Sequence, residues 1–436
     1  MSADMLYGLL PDHLLLGLIV VLMLLETVRL DPRWARPVFV AFVLAALGVL
    51  LQQLGAGYSA DILPGEIRVD RFALLAKLVV LGCGLAFAAG FDARGGFKFW
   101  LLLAAMLLGA MLVMGSAGFA SLFMGIELLS LPAFALMVQG QGRTVASEGA
   151  FKYLLMSSVG TALLLFGISL AYGLSGSLAI AAFVQTLGEG SAQGLAAGLL
   201  LLCGLFLKAA VFPFHAWAPD AYASTRLEVT AVMASVVKAA VVLALVRVVL
   251  DVKLGPATTA LVAPLAIASI VFGNLAALGQ RRFKRLLAYS SVAHAGYMIF
   301  ALLDNTGSRS SDLLWYAAFY ALATVLACAC FAVLSPGDDD GLDSLDGQFH
   351  RHPVAALGLA FAVLSLAGLP PFPGFFAKLF IFSSAIGSGQ LTAAVLAFVG
   401  SFLGLAVYLG IVMRLFRTES PSGAEASSSP APLRGA

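Results

Sequence analysis

The chain has 436 residues, of which 61% are hydrophobic and only 11% charged, with a formal net charge of +2 and a mean hydropathy of +1.00. Soluble domains are roughly 45–50% apolar and about 25% charged, so this is an all-α polytopic membrane protein to which residues-per-domain rules do not apply. No basic patch or stripe exists outside short loops, which excludes nucleic acid as a partner.

Residues 1–12 lack a basic n-region, so the first apolar run reads as a retained span and not as a cleavable signal. Apolar runs of about 17–25 residues read as transmembrane helices. They fall near 12–30, 36–54, 71–91, 97–114, 116–138, 149–173, 197–218, 228–250, 257–279, 286–304, 311–335, 354–384 and 391–416, about thirteen in all. The 354–384 run is too long for a simple crossing and points to a bent or broken helix. The loop GDDDGLDSLDGQFHRH at 337–352 is the one strongly acidic stretch and reads as a solvated loop. From Thr418 the tail is Ser-, Ala- and Pro-rich and reads as disordered. Cys83, Cys203, Cys328 and Cys330 all lie in apolar runs and read as buried free thiols. Cys328 and Cys330 are too few, and too differently aimed, for a metal site.

Basic residues in short loops set the orientation. Arg33 and Arg36, Arg94 and Lys98, Arg143, the group Arg281, Arg282, Lys284 and Arg285, Arg351 and Arg417 fall on one side, against Arg68, Lys253 and Arg309 on the other. The richer side is cytoplasmic, which puts the N-terminus outside and the C-terminus inside a cell inner membrane.

Two helices carry breaks. LKAAVFPFHAW (207–217) and SLAGLPPFPGFFAKLF (365–380) each combine proline, aromatic residues and one lysine. They belong to the seventh and twelfth spans, an odd separation, so they cross the bilayer in opposite directions. Interrupted helices at matching positions of two halves mark an inverted-repeat transporter fold. The expected organisation is an N-terminal group of three helices (1–96), a first five-helix repeat (97–250), a second, inverted five-helix repeat (257–416) and a cytoplasmic tail (417–436).

A charge at mid-membrane costs roughly 2.5–3.5 kcal/mol on insertion scales. Glu127, Lys208, Lys238 and Lys378 lie near mid-span, with His294 as a neutral candidate. Lys77, Lys152, Arg247 and Arg414 lie nearer span ends, where snorkelling to the headgroups is the plainer account. Glu26 reads as paired with Arg29. Glu127 has apolar neighbours for a full turn on each side and cannot snorkel. It is a neutral carboxyl, half of a buried pair, or a proton-relay carboxylate. Lys208 precedes Pro213, which cannot donate to the carbonyl of Ala209. That carbonyl must find protein or water, so a hydrated, protein-lined interior is expected beside the lysine. Lys238 is ringed by small residues that bury it against protein. Lys378 borders the second break. His294, among Ser290, Ser291 and Tyr297, is equally a relay or a hydrogen-bonded packing residue.

These residues suit proton transfer. Burial disfavours the charged form of lysine and glutamate alike, and a close opposite charge restores it. A Glu–Lys pair that separates therefore releases a proton, and one that closes recaptures it. No CxxCH, cysteine cluster, Walker A or HExxH motif is present, and the glycine runs follow no strand.

ELLSLPAFAL at Glu127, EGAFKYLLMSS at Lys152, LKAAVFPFHAWAPDAY at Lys208, VVKAAVVLALVRV at Lys238, NLAALGQRRFKRLLAYSSVAHAGYM at His294 and LSLAGLPPFPGFFAKLF at Lys378 resemble the antiporter-like membrane subunits of respiratory complex I, and among them the subunit-N branch. The likeness spans roughly residues 70–416. It implies that Glu127, Lys208, Lys238 and Lys378 form a proton path. It also implies no cofactor in this chain, with NADH, FMN, iron–sulfur clusters and quinone held by partner subunits, and other membrane-arm subunits and the lipid bilayer as neighbours. Two departures stand out. ASTRLEVT, with Arg226 and Glu228, replaces the family's proline-rich turn after APDAY. A polar tail stands where the family usually has a fourteenth helix.

The resemblance implies a proton-translocating subunit of a complex I-type NADH:quinone oxidoreductase. A subunit of a multi-subunit sodium/proton antiporter would use the same charges. A structural scaffold in a hydrogenase- or ferredoxin-linked membrane complex would not need them.

Overall fold

The computed structural model describes residues 3–91, 95–139, 143–188, 191–249, 256–337 and 340–417. Arg94, Lys253, the expected boundary between the repeats and the tail from Thr418 lie outside the described residues, as does the side chain of Arg143. The chain opens with helices α1 (Ala3–Gly8), α2 (Leu10–Thr27), α3 (Ala35–Gly55) and α4 (Arg71–Gly90). Between α3 and α4 lies a short antiparallel hairpin, β1 (Ala60–Leu63) and β2 (Ile67–Val69), with Ala60 opposite Val69. The Pro64–Gly65 pair turns it, with Gly65 at φ +77°, a conformation that glycine adopts without a Cβ clash.

Then follow α5 (Gly96–Gly115), α6 (Phe119–Val138), α7 (Arg143–Ser175), α8 (Ile180–Gly188), α9 (Ala192–Lys208) and α10 (Trp217–Ser224). Helix α11 (Leu227–Val232) continues through a π-helical turn, Met233–Val237, into α12 (Lys238–Val249). The remainder is α13 (Pro256–Leu278), α14 (Phe283–Phe300), α15 (Arg309–Leu334), α16 (Gln348–Arg351), α17 (Pro353–Ala367), α18 (Pro373–Gly387) and α19 (Leu391–Leu415). Among the described residues, eleven helices are long and apolar enough to cross a membrane, and α9, α17 and α18 are shorter apolar helices. The shorter ones are the halves of the two broken spans: α9 with α10, and α17 with α18.

Burial grades outward from the centre. The segments Leu227–Val248 and Phe283–Leu303 are 100% and 94% enclosed, whereas Leu10–Thr27 is only 22% enclosed. Small residues let the inner helices close. A Cβ on Gly204 of α9 would lie 2.8 Å from the Gly160 carbonyl of α7, and one on Gly296 of α14 would lie 2.8 Å from the Ala266 carbonyl of α13. Such contacts replace the hydrophobic driving force that lipid cannot supply.

Several charges near span ends are held by partners, contrary to the snorkelling expectation. Lys77, whose side chain is 2% exposed, meets Asp12 at 2.6 Å. Arg247 grips Asp70 with two nitrogens, at 2.7 and 3.0 Å, donates to the Met114 carbonyl, and lies over the Phe72 ring. Lys152 is half-exposed but sits between Glu148 and Asp220, at 2.8 and 2.7 Å. Arg414 is partly exposed and pairs with Asp343 at 2.6 Å. Glu26 meets Lys98 at 3.5 Å and not Arg29, because Arg29 leaves the helix with a φ of +56°. The acidic stretch is not a free solvated loop either. Asp340 is buried against Arg282 at 2.7 Å, and Asp346 holds Arg417 at 3.0 Å.

Candidate functional site

Lys208 is the last residue of α9, and Ala210 turns the chain away with a φ of +53°. Val211 donates to the Phe206 carbonyl at 3.0 Å and Ala210 to that of Leu207 at 3.2 Å, the paired bonds that close a helix C-terminus. The Trp217 indole adds a bond to the Leu207 carbonyl at 3.0 Å, and the Phe212 amide donates to Ser269 Oγ at 3.0 Å. Protein groups thus take up these polar atoms of the break. The expected hydrated interior narrows to a cavity of about 10 Å³ among Ser130, Tyr153, Ser157, Lys208 and Trp217, the size of one water.

At this helix end the dipole favours a cation. Lys208 Nζ donates to Glu127 Oε1 at 3.0 Å, Ser157 Oγ at 3.1 Å and Ser130 Oγ at 3.3 Å. Three acceptors match the three N–H groups of an ammonium. Thr161 Oγ1 donates to the same Glu127 oxygen at 2.7 Å. The lysine side chain is 3% exposed and that of Glu127 24%. The outer edge of Glu127 lies on the face of α6 that carries the exposed Met124 and Leu131.

Val237 and Val241 of the next span line the same small cavity and flank Lys238 in sequence. Lys238 follows directly on the π-helical turn, a feature that recurs at functional sites. It is fully enclosed and donates to the carbonyl and hydroxyl of Ser291 at 3.0 and 3.1 Å. His294, one turn further along α14, contacts Tyr316 through Nδ1 at 2.9 Å and Tyr408 through Nε2 at 3.2 Å.

Lys378 lies on α18 but reaches back to the end of α17. Its Nζ donates to the Ala367 carbonyl at 2.8 Å and Ser401 Oγ at 3.0 Å, with the Tyr297 ring 4.5 Å away. Gly368, at φ +78°, ends α17, and a Cβ there would lie 2.7 Å from the lysine stem. A cavity of about 230 Å³ opens beside it, lined by Gly368, Phe375, Phe382, Phe398, Phe402 and Ser401 among others. Among the described residues, Lys208 is the only one of the three mid-span lysines with a carboxylate within 4.0 Å.

The five expected residues therefore form a broken line through the protein centre: Glu127 with Lys208, then Lys238, His294 and Lys378. The structure adds the hydroxyl partners Ser130, Ser157, Thr161, Tyr316, Tyr408 and Ser401, and gives Ser291, expected beside His294, to Lys238. Ser157 and Thr161 are spaced four apart on α7, the spacing of one helix face, which is the signal that could have found them. The altered turn ASTRLEVT is closed by other means. Arg226 donates to the Gln139 carbonyl at 2.9 Å, and Lys284 to that of Thr225 at 2.8 Å.

The profile of the NADH:quinone oxidoreductase/Mrp antiporter transmembrane family matches residues 116–404, well over half of the chain and all five of these positions. The chain belongs to this family. It is 55% identical over 421 residues to NADH-quinone oxidoreductase subunit N of Pelobacter propionicus, covering 96% of this chain and 91% of that one. Among solved structures, a chain of respiratory complex I from Thermus thermophilus superposes with a TM-score of 0.83 at 36% identity, over 94% of this chain and 90% of that one. A chain of the Mrp complex from Dietzia sp. superposes with a TM-score of 0.84 at 22% identity, over 99% and 86%, which shows a common fold.

Proposed function

We propose that this chain is the N-type, proton-translocating membrane subunit of a complex I-type NADH:quinone oxidoreductase. The 55% identity to a subunit N over nearly the whole length of both chains supports the assignment, where the antiporter likeness reaches the fold alone. Other membrane-arm subunits are its partners. NADH, FMN, iron–sulfur clusters and quinone belong to partner subunits, and this chain carries no redox step. It sits in the cell inner membrane as a three-helix N-terminal group, 1–96, and two inverted repeats, 97–250 and 257–416.

The observation that carries the mechanism is the contact of the enclosed Lys208 with Glu127 at a broken helix end. While the carboxylate stays close, the ammonium is stabilised. When a movement of α6 or α9 parts them, the enclosed ammonium loses its opposite charge and gives its proton to a water taken up in the neighbouring cavity, which becomes hydronium until it passes the proton on. Lys238, His294 and Lys378 receive and pass on that proton. Glu127→Gln keeps the shape and removes the charge. In membrane vesicles containing the whole complex, it is expected to lower proton uptake and quinone reduction together by at least about ten-fold, short of the roughly 10²–10⁴-fold typical of a positioned general acid or base. Normal uptake would overturn the relay role of the pair.

A further inference from the structure

We propose that the cavity between α18 and α19 is a binding site for a medium-chain alkanoic acid, whose carboxylate meets Lys378 and whose chain lies along a phenylalanine wall. The site stands on geometry alone; its effect on turnover rests on the proton-translocation reading above. The cavity has one polar end. Its two polar side chains, Lys378 and Ser401, sit together, with Nζ donating to Oγ at 3.0 Å, and its other side chains are apolar, Phe375, Phe382, Phe398 and Phe402 among them. Leu379, Phe398 and Phe402 also line it and are 45%, 51% and 57% exposed. The cavity therefore has a mouth on the outside of the helix bundle, and a ligand enters sideways from the bilayer.

The lysine selects the ligand. Lys208 has three acceptors, one of them a carboxylate. Lys378 has two, the Ala367 carbonyl at 2.8 Å and Ser401, and beyond them only the face of the Tyr297 ring. An ammonium has three N–H groups, and the neutral amine has two and a lone pair. Either form thus keeps one valence for a ligand, and among the described residues no carboxylate lies within 4.0 Å to take it. An anion would have to carry its charge through hydrocarbon, which is costly. A neutral acid brings its proton with it. Its O–H bond breaks, an N–H bond forms on the amine of Lys378, and a carboxylate–ammonium pair of no net charge remains. A phospholipid cannot do this, because its charged head stays at the membrane surface and its tail offers the lysine no partner. Water takes about 30 Å³ in the liquid and a methylene fills much the same space, so the cavity of about 230 Å³ holds on the order of eight chain carbons. An ammonium paired in this way keeps its proton, so the occupied site stops Lys378 from passing one on.

The probe is octanoic acid bearing a diazirine in its chain, photolysed with the whole complex in phosphatidylcholine vesicles. Labelled peptides are identified by mass spectrometry. Quinone reduction is followed in the same vesicles made leaky with a protonophore, so that uncoupling by the acid does not register. The site predicts labelling within 367–382 and 398–405 and inhibition of turnover. Octanoic acid should compete for the label, and methyl octanoate and octylamine at least about ten-fold less well, because neither offers a carboxylate. Leu379→Trp fills the mouth and should abolish both label and inhibition, read against that variant's own turnover without acid. Phe398→Trp carries the same test if Leu379→Trp fails to assemble. No label in these segments, a label that survives the tryptophan, or equal competition by the ester would overturn the site, in favour of a lipid tail or a neighbouring subunit there. Inhibition that outlasts the label in Leu379→Trp would overturn the effect on turnover and place that inhibition in another subunit. Labelling with undiminished turnover would keep the site and overturn the relay role of Lys378 in the parent reading.

Discussion

The three mid-span lysines are chemically unequal. Lys208 has a carboxylate partner, Lys238 has a serine carbonyl and hydroxyl, and Lys378 has a helix-end carbonyl, a hydroxyl and an aromatic face. A guanidinium cannot substitute for the first. It keeps its proton in proteins, and its planar fork does not fit three acceptors arranged around a point charge. The adjoining space of about 10 Å³ leaves no room for the larger head. Lys208→Arg should therefore lose proton-coupled turnover at least as fully as Glu127→Gln, with the positive charge still present. Wild-type proton uptake in the arginine variant would mean that the charge matters and proton release does not. The charges themselves were legible from sequence because an ionisable group at mid-span is costly. Their hydroxyl partners were not. A serine or threonine in a membrane helix can satisfy itself on a carbonyl four residues back, as Ser130 does on Ile126 at 2.9 Å, so its presence alone signals little.

At the scale of elements, the breaks were legible and the clamps were not. Pro213 and the Pro370–Pro371–Pro373 group interrupt an apolar pattern wherever they occur, and Pro64–Gly65 is the turn signal of the small hairpin. Arg247 and Asp70, by contrast, are far apart in sequence, and each reads locally as a residue near a span end. Together they fasten the start of α4 to the enclosed α12. Burial alone would raise the Asp70 carboxyl, but the Arg247 guanidinium and the Ala73 amide outweigh it and hold the group below its ordinary range. A depressed carboxyl stabilises the fold above its unfolded pKa of about 3.9 and loses that contribution as pH falls through the folded value. Asp70→Asn removes the charge at every pH and leaves the enclosed guanidinium without its partner. Breaking a buried pair costs about 3–5 kcal/mol, and the low end, about 3 kcal/mol, fits here because a quarter of the Asp70 side chain, 25%, stays exposed. The expected result is a lowered melting temperature near neutral pH, with the difference from the native protein shrinking as the pH falls below about 4. An Asp70→Asn protein that melts with the native one at neutral pH would show that the clamp contributes nothing net.

For the whole molecule, the contacts sort the loops into two faces. Asp340 with Arg282, Asp343 with Arg414 and Asp346 with Arg417 tie residues 281–285, 340–351 and 414–417 into one surface. Lys284 on the Thr225 carbonyl and Arg226 on that of Gln139 extend the same surface to the end of α6 and the turn after α10. The other face gathers the hairpin, the Asp12–Lys77 and Asp70–Arg247 pairs, and the Glu66 contact with the Ser121 amide at 3.1 Å. The first face is the richer in lysine and arginine in short loops, and such loops are retained in the cytoplasm. A fluorescent reporter fused after Arg417 should therefore mature, and an alkaline phosphatase fused there should be inactive. An alkaline phosphatase inserted between Pro64 and Gly65 of the hairpin should instead be active. Sidedness and orientation are separate in this experiment. Opposite readings at the two sites are required by the two faces, whichever way the protein lies. An active phosphatase after Arg417 with an inactive one in the hairpin would keep the faces and reverse the orientation, placing the acidic–basic surface outside. Like readings at both sites would contradict the faces themselves and, with them, the opposed crossing of the two broken helices on which the inverted-repeat proposal depends.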